Sequence, residues 1–349
     1  MKKGSIIIGI LTLSVIALSI WWSKSNKEDV VLHGKDKLVV QLQWFDGAQF
    51  CGLYVAQAKG FFDKENLVVE LNPVSSFTSD PIAILLDGRA DIAIATADQV
   101  LINKNDGKDI IAFGNVFNRS LACYISKSKN KIYSFNDFKG KKIAVYKKFD
   151  TENILLSLDK KNNIQIDSKD ILQAGSIDAF LNEEYEILGS YLHNEPIDML
   201  LQGINIEILD PVKDSILFYS DTYITNSTKG DINEWNKKRE ILIRFIRAAN
   251  EGWKYTKNNQ TESIKIMFDY VNNMIKDDMR VKKERLSLEK LVKYLGDGPN
   301  GYYSYMSMEK WKKMEESLFE IKRIKQTGYI KDLCDFELVI DAYEKEKKL

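Results

Sequence analysis

Seven short segments of this 349-residue chain concentrate carboxylates, amides and hydroxyls, in six of them beside an aromatic ring. They are Trp44-Phe45-Asp46-Gly47-Ala48-Gln49-Phe50, Ser75-Ser76-Phe77-Thr78-Ser79, Thr96-Ala97-Asp98-Gln99, Phe117-Asn118-Arg119, Phe149-Asp150-Thr151-Glu152, Tyr191-Leu192-His193-Asn194-Glu195 and Tyr219-Ser220-Asp221. Rings stack on flat π-systems, and carboxylates accept hydrogen bonds from amino groups and protonated ring nitrogens. Such a set suits an aromatic, amine-bearing heterocycle. An anion would find chiefly Arg119 and the pair Lys147-Lys148. Signatures of bond-breaking chemistry are missing: the sequence has no HExxH, no GxSxG elbow, no GxGxxG after a strand and no GxxxxGK[ST] loop. His33 and His193 are the only histidines, too few for a three-histidine zinc site, and Cys51, Cys123 and Cys334 form no CxxC pair. The run from Asn103 to Asp109 lacks a calcium loop's acidic twelfth ligand, which here is Gly114, and reads as a turn. No catalytic residue, metal or cofactor is expected.

The elements that must position these segments alternate. Leu38 to Trp44 reads as a strand and Ala48 to Lys59 as a helix stopped at Gly60; Leu67 to Val74 is a second strand. Asp80, Pro81 and Gly88 mark both ends of the next helix. Ala90 to Thr96 reads as a buried strand, followed by a short helix from Asp98 to Lys104. The pattern then repeats, with strands at Lys141 to Tyr146, Glu186 to Leu192 and Asn205 to Leu209, and helices from about Thr151 and from Asn194 to Gln202. Two α/β lobes are implied. The extended segments 121–127 and 216–225 stand where the chain would cross between them, as a two-segment hinge. Beyond Asp231, apolar stripes through Trp235, Leu242, Phe245, Ala249 and Trp253, and through Trp311, Met314, Leu318, Ile321 and Ile324, predict core-packed helices. The expected division is a leader and linker over 1–36, the first part of lobe 1 over 37–120, lobe 2 over 121–220, and over 221–349 the completion of lobe 1 with C-terminal helices.

Lys+Arg and Asp+Glu are both 50, so no net field recruits nucleic acid. Lys2 and Lys3 precede an uncharged apolar run of 18 residues, Ser5 to Trp22, that would make about 27 Å of helix. It reads as an export signal or a membrane anchor, both of which place the rest of the chain outside the cytoplasmic membrane, in a periplasm or at the cell surface. No cysteine follows the run to carry a lipid.

Several motifs in order carry a family likeness. Gln41-Leu42-Gln43-Trp44, Ala48-Gln49-Phe50-x-Gly52-Leu53-Tyr54-Val55-Ala56, Lys59-Gly60-Phe61-Phe62 and Gly88-x-Ala90-Asp91-Ile92-Ala93-Ile94-Ala95-x-Ala97-Asp98-Gln99 come first. Lys139-Gly140-Lys141-Lys142-Ile143-Ala144-Val145, Asn194-Glu195-Pro196 and Phe218-Tyr219-Ser220-Asp221-Thr222 follow. Over about residues 38 to 260 the chain resembles the substrate-binding proteins of ABC importers in the thiamine-pyrimidine-precursor family, which includes SsuA-like members. The resemblance implies the type II periplasmic-binding-protein fold, with two doubly wound α/β lobes around a hinge. It further implies a small-molecule ligand bound without turnover, and an ABC permease as partner. Relatives bind aminopyrimidines, riboflavin or sulfonates. A pyrimidine-synthase branch uses a cysteine-rich motif, whereas Ser176 to Tyr191 contains no cysteine. A sensory role for the same fold would need a membrane signalling partner.

Combining segment chemistry with strand ends selects Trp44, Gln49, Phe50, Tyr54, Ser76, Phe77, Asp98 and Phe117 as ligand-facing candidates. Asn118, Thr151, Glu152, Tyr191, His193, Asn194, Glu195 and Asp221 complete the set. Bland roles compete: Asp46, Asp98, Asp150 or Thr151, and Asn194 are also placed to cap helices. Phe50 and Tyr54 share one helix face, so either could belong to the core, and His193 could tune binding by titration.

Overall fold

The computed structural model describes residues 34–147, 149–228, 230–271, 276–296 and 298–346. The apolar run 5–22, with its anchor or signal reading, lies outside them. Among the described residues no helix is long and apolar enough to cross a membrane.

Ten strands form two five-stranded sheets: β1 (Asp36–Gln41), β2 (Leu67–Asn72), β3 (Ile92–Ala95), β4 (Ile110–Asn115), β5 (Ala122–Lys127), β6 (Ile143–Val145), β7 (Ile171–Gln173), β8 (Ile187–Tyr191), β9 (Ile206–Leu209) and β10 (Thr222–Asn226). Lobe 1 has the order β2-β1-β3-β10-β4 and lobe 2 the order β7-β6-β8-β5-β9. In each, three strands run parallel and the fourth in order lies antiparallel to both its neighbours. That antiparallel strand is the last in sequence for lobe 1 and the first for lobe 2. The chain therefore passes between sheets twice, over 116–121 and over 210–221.

Period-two alternation explains why both sheets are buried on both faces. Ile92, Ile94, Cys123, Ile125 and Leu188 join one core, while Ala93, Ala95, Ala122, Tyr124 and Ile187 join the other. Each core runs through both lobes.

Local signals act largely as the residues dictate. Asp80 accepts hydrogen bonds from the amides of Ile82 and Ala83 (3.0 and 3.1 Å), Pro81 opens the helix Pro81–Leu86, and Gly88 turns out at φ 73°. The helix expected over Ala48 to Lys59 is split into a 3-10 turn, Ala48–Phe50, and an α-helix, Cys51–Ala58. Phe149, not Asp150 or Thr151, occupies the cap position of the helix Asp150–Asn162. Asn194 stands at the cap of Glu195–Leu201 without a side-chain capping bond.

Lobe 1 is completed by the helix Ile232–Asn258, which packs on Cys51–Ala58 through facing glycines. A Cβ on Gly252 would sit 2.1 Å from the Gly52 carbonyl oxygen, and one on Gly52 would sit 2.2 Å from the Trp253 ring. Two later helices touch both lobes. Asp278–Leu291 lies on the Ala48–Phe50 turn of lobe 1 and on Glu195–Leu201 of lobe 2; Met308–Glu320 lies on Ala97–Asn105 and on Asp150–Asn162.

Candidate functional site

A cavity of about 1110 Å³ opens between the lobes, walled chiefly by the segments that follow β1, β2, β3, β6, β7 and β8, by the crossing segment before β10 and by the helix Asp278–Leu291. Such clefts at strand ends are where open α/β sheets place ligands.

Its apolar part is an aromatic cluster spanning both lobes. The Trp44 ring lies 5.5 Å from Phe77 in lobe 1, and 6.4 and 5.6 Å from Tyr146 and Phe149 in lobe 2, all edge-on. Phe45 and Phe77 meet at 5.1 Å, and Tyr146 stacks on Tyr191 at 6.4 Å. Trp44 reaches this position because β1 ends at Gln41 and the next three residues leave the sheet toward the cleft.

Acids and amides make the polar part. Gln49 Nε2 donates to Asp221 Oδ1 (2.7 Å) and Ser220 Oγ to Oδ2 (3.0 Å). Asp221 holds φ 52°, a left-handed conformation that Asp and Asn tolerate better than most residues. Burial raises its carboxyl to about 6 against the pull of those hydrogen bonds. Glu195 accepts from Tyr146 Oη (2.7 Å) and Ser190 Oγ (2.8 Å). Behind the wall, Tyr191 Oη donates to Asp150 Oδ1 (2.7 Å), Ser120 Oγ donates to the other oxygen, and Asn153 Nδ2 of lobe 2 donates to Asp98 Oδ2 of lobe 1 (2.6 Å). Burial first, then the charge of Asp98, pushes Asp150 up, and burial pushes Asp98 up as well. Gln43 Oε1, Thr96 Oγ1 and His193 Nδ1 line the cavity as buried atoms without a hydrogen bond among the described residues.

Cations in the wall are mostly engaged. Arg280 pairs with Glu284 (2.7 Å) and Lys283 with Asp198 (2.7 Å), whereas Lys147 has no ion pair among the described residues. Arg119 is held bidentate by Asp210 (2.6 and 3.0 Å) beside the Tyr294 ring and does not reach the cavity.

Of the sequence-selected residues, Trp44, Gln49, Phe77, Tyr191, His193, Asn194, Glu195 and Asp221 wall this cavity. The others do not. Phe50 and Tyr54 are both core residues, in the part of the chain that packs on the helix Ile232–Asn258; Tyr54 Oη donates to Asp46 Oδ1 (2.5 Å). Phe117 packs against Trp253 (5.6 Å), and Asn118 is tied through its backbone to Tyr294 and Lys310. Thr151 is fully buried under Tyr124, Glu152 pairs with Arg323 (3.1 Å) on the outer surface, and Asp98 is sequestered by Asn153. Ser76 is exposed beside Phe77 and bonds only within its loop. His193 is no neutral-pH switch: burial, then the charge of Lys283, lowers it to about 4.

Cavity residues that sequence reasoning missed include Arg280, Lys283, Glu284 and Ser287, one wall of the helix Asp278–Leu291. Their spacing of three and four residues was a signal of one helix face. Tyr146 was missed too, although it directly precedes the Phe149 segment.

Comparison with known proteins places this geometry. A formylaminopyrimidine-binding protein from Halalkalibacterium halodurans is 21% identical over 314 residues, 87% of this chain and 90% of that protein. The riboflavin-binding protein RibY from Chloroflexus aurantiacus is 19% identical over 258 residues, 72% of this chain and 71% of that one. Among solved structures, the periplasmic aliphatic sulphonate binding protein SsuA from Escherichia coli superposes with a TM-score of 0.64 at 14% identity, over 87% of this chain and 99% of its own. The fold is accordingly that of the periplasmic binding proteins. The family model described as NMT1/THI5 like matches residues 47–263, and the chain belongs to that family.

Proposed function

We propose that this protein is the extracytoplasmic solute-binding component of an ABC importer, closing two lobes on a small aromatic nitrogen heterocycle and releasing it unchanged to a permease. One observation carries the reading: rings from both lobes, Trp44 and Phe77 against Tyr146, Phe149 and Tyr191, converge over a wall of hydrogen-bond acceptors. A flat ring inserted there gains stacking, and its N–H groups meet Gln43 Oε1, Thr96 Oγ1 and the carboxylates of Asp221 and Glu195. The names of two relatives, which bind a formylaminopyrimidine and riboflavin, support the same ligand class.

A sulfonate, the ligand named for the Escherichia coli neighbour, is less well supported here, because Arg119, Arg280 and Lys283 already hold carboxylates and leave Lys147 as the one lysine or arginine of the cavity wall without an ion pair among the described residues. Binding without turnover is supported by the thiols: Cys51, Cys123 and Cys334 are buried outside the cavity and burial pushes all three up, away from the thiolate. Export or tethering through residues 5–22 belongs to the same proposal. Calorimetry with a 4-aminopyrimidine, riboflavin and taurine tests it. A heat of binding with a heterocycle and none with taurine is expected; a preference for taurine overturns the ligand class.

A further inference from the structure

The helix Asp278–Leu291 is fastened to lobe 1. Glu284, 4% exposed, accepts a hydrogen bond from the Ala48 amide (2.7 Å) and pairs with Arg280, while Leu288 and Leu291 are fully buried in the lobe-spanning core. From the same helix, two side chains reach the opposite lobe. Lys283 Nζ pairs with Asp198 Oδ2 (2.7 Å) in the first turn of Glu195–Leu201, and Ser287 Oγ donates to the carbonyl oxygen of His193 (2.6 Å). Both bonds close over the cavity wall, and both partners sit within four residues of Glu195. The segments 116–121 and 210–221 link the sheets covalently, so rotation of one lobe about them leaves the pairing within each sheet intact, while these two bonds are among the contacts across the cleft that it would part.

We infer that Lys283 and Ser287 are positioning residues that latch lobe 2 onto lobe 1 across the cavity mouth and set how long the closed state lasts. They touch the partner lobe and act through it on whatever the cavity holds. Ser287 is 4% exposed, so its bond to His193 is shielded from competing water.

The inference rests on the lobe-closure part of the proposed function but needs no ligand for its test. Cysteines introduced by Asp87→Cys in lobe 1 and Lys169→Cys in lobe 2 take spin labels, since both side chains are exposed and the native cysteines are buried. Pulsed dipolar spectroscopy then reads the distance between lobes. The latched protein is expected to show a dominant narrow population, and Lys283→Met with Ser287→Ala a broad one, with unchanged circular dichroism and melting temperature. Lys283→Asp is expected to open the lobes, and adding Asp198→Lys to recover most of the closed population. A structural role of Lys283 alone would not produce that rescue. Release of riboflavin or the 4-aminopyrimidine, whichever calorimetry finds bound, is expected to speed at least threefold in the opened variants. Identical distance distributions in all variants would overturn the latch, whatever calorimetry reports; an intact latch with no heterocycle binding would leave it standing and remove only the ligand class.

Discussion

Two helices of the C-terminal third each bridge the lobes, and they do so with opposite chemistry. Met308–Glu320 presents Trp311, Met314 and Leu318, all fully buried, to a core shared by both lobes; Trp311 adds a hydrogen bond from its indole to Asn115 Oδ1 (3.2 Å). Asp278–Leu291 crosses the cleft with an ion pair and a hydroxyl. Burying a large apolar side chain contributes several kcal/mol, whereas a partly exposed ion pair contributes about 0.2–1 kcal/mol. Under the proposed latch, lasting and reversible joining use different residue types, because a contact that parts in each binding cycle has to be individually weak and satisfied by water when broken.

The largest effect separating the two is expected at Trp311. Trp311→Ala should cost about 3–5 kcal/mol in denaturant unfolding, the usual loss for deleting a fully buried aromatic. A loss below about 1 kcal/mol would show that this bridge is no firmer than the other.

Next comes Asp221, in the crossing segment before β10. Burial raises its carboxyl from the ordinary carboxylate range to about 6 in the folded state, so the unfolded chain ionises first. Stability from this group is complete below about pH 4 and is lost as pH rises through about 6, by up to about 3 kcal/mol. Asp221→Asn keeps the left-handed backbone and should abolish that fall, so the variant gains on the wild type between pH 4 and 7. His193 acts in the opposite sense, its contribution being lost as pH falls from about 6.5 toward 4. The variant-minus-parent difference in melting, not the parent curve, is therefore the readout.

Trp44→Ala follows. It should weaken heterocycle binding more than tenfold, or about 1.4 kcal/mol, with the fold retained; unchanged affinity in calorimetry would remove Trp44 from the site. Smallest is the effect of Lys283→Met on global stability, expected below about 1 kcal/mol in the same denaturant titration. A larger loss would make the polar bridge structural.

Much of the architecture was legible because it is encoded locally. Strand alternation, Asp80 with Pro81, and Gly88 each act within a few residues, and Trp44 and Tyr191 could be placed by their positions just past and at the end of a strand. The misplaced residues share a different property. Phe50, Tyr54 and Phe117 have the same chemistry as ligand-facing rings, and only packing against distant elements such as the helix Ile232–Asn258 sets them in the core. Arg280, Lys283, Glu284 and Ser287 escaped notice because their pattern on a helix is that of an ordinary solvated face. Their partners Ala48, Asp198 and His193 lie 85 to 236 residues away for the bonds involved, a separation no local pattern reports.

The placement of β10 between β3 and β4 governs how the polypeptide can mature. Every strand of the second sheet lies between residues 122 and 209, so that half can assemble as soon as those residues are available. The first sheet cannot: β4 has no neighbour until residues 222 to 226 arrive, and during synthesis β3 and β4 present bare strand edges over the interval. The sheet that holds the first strands of the chain is thus the one that cannot be completed until the second sheet's residues have all been made.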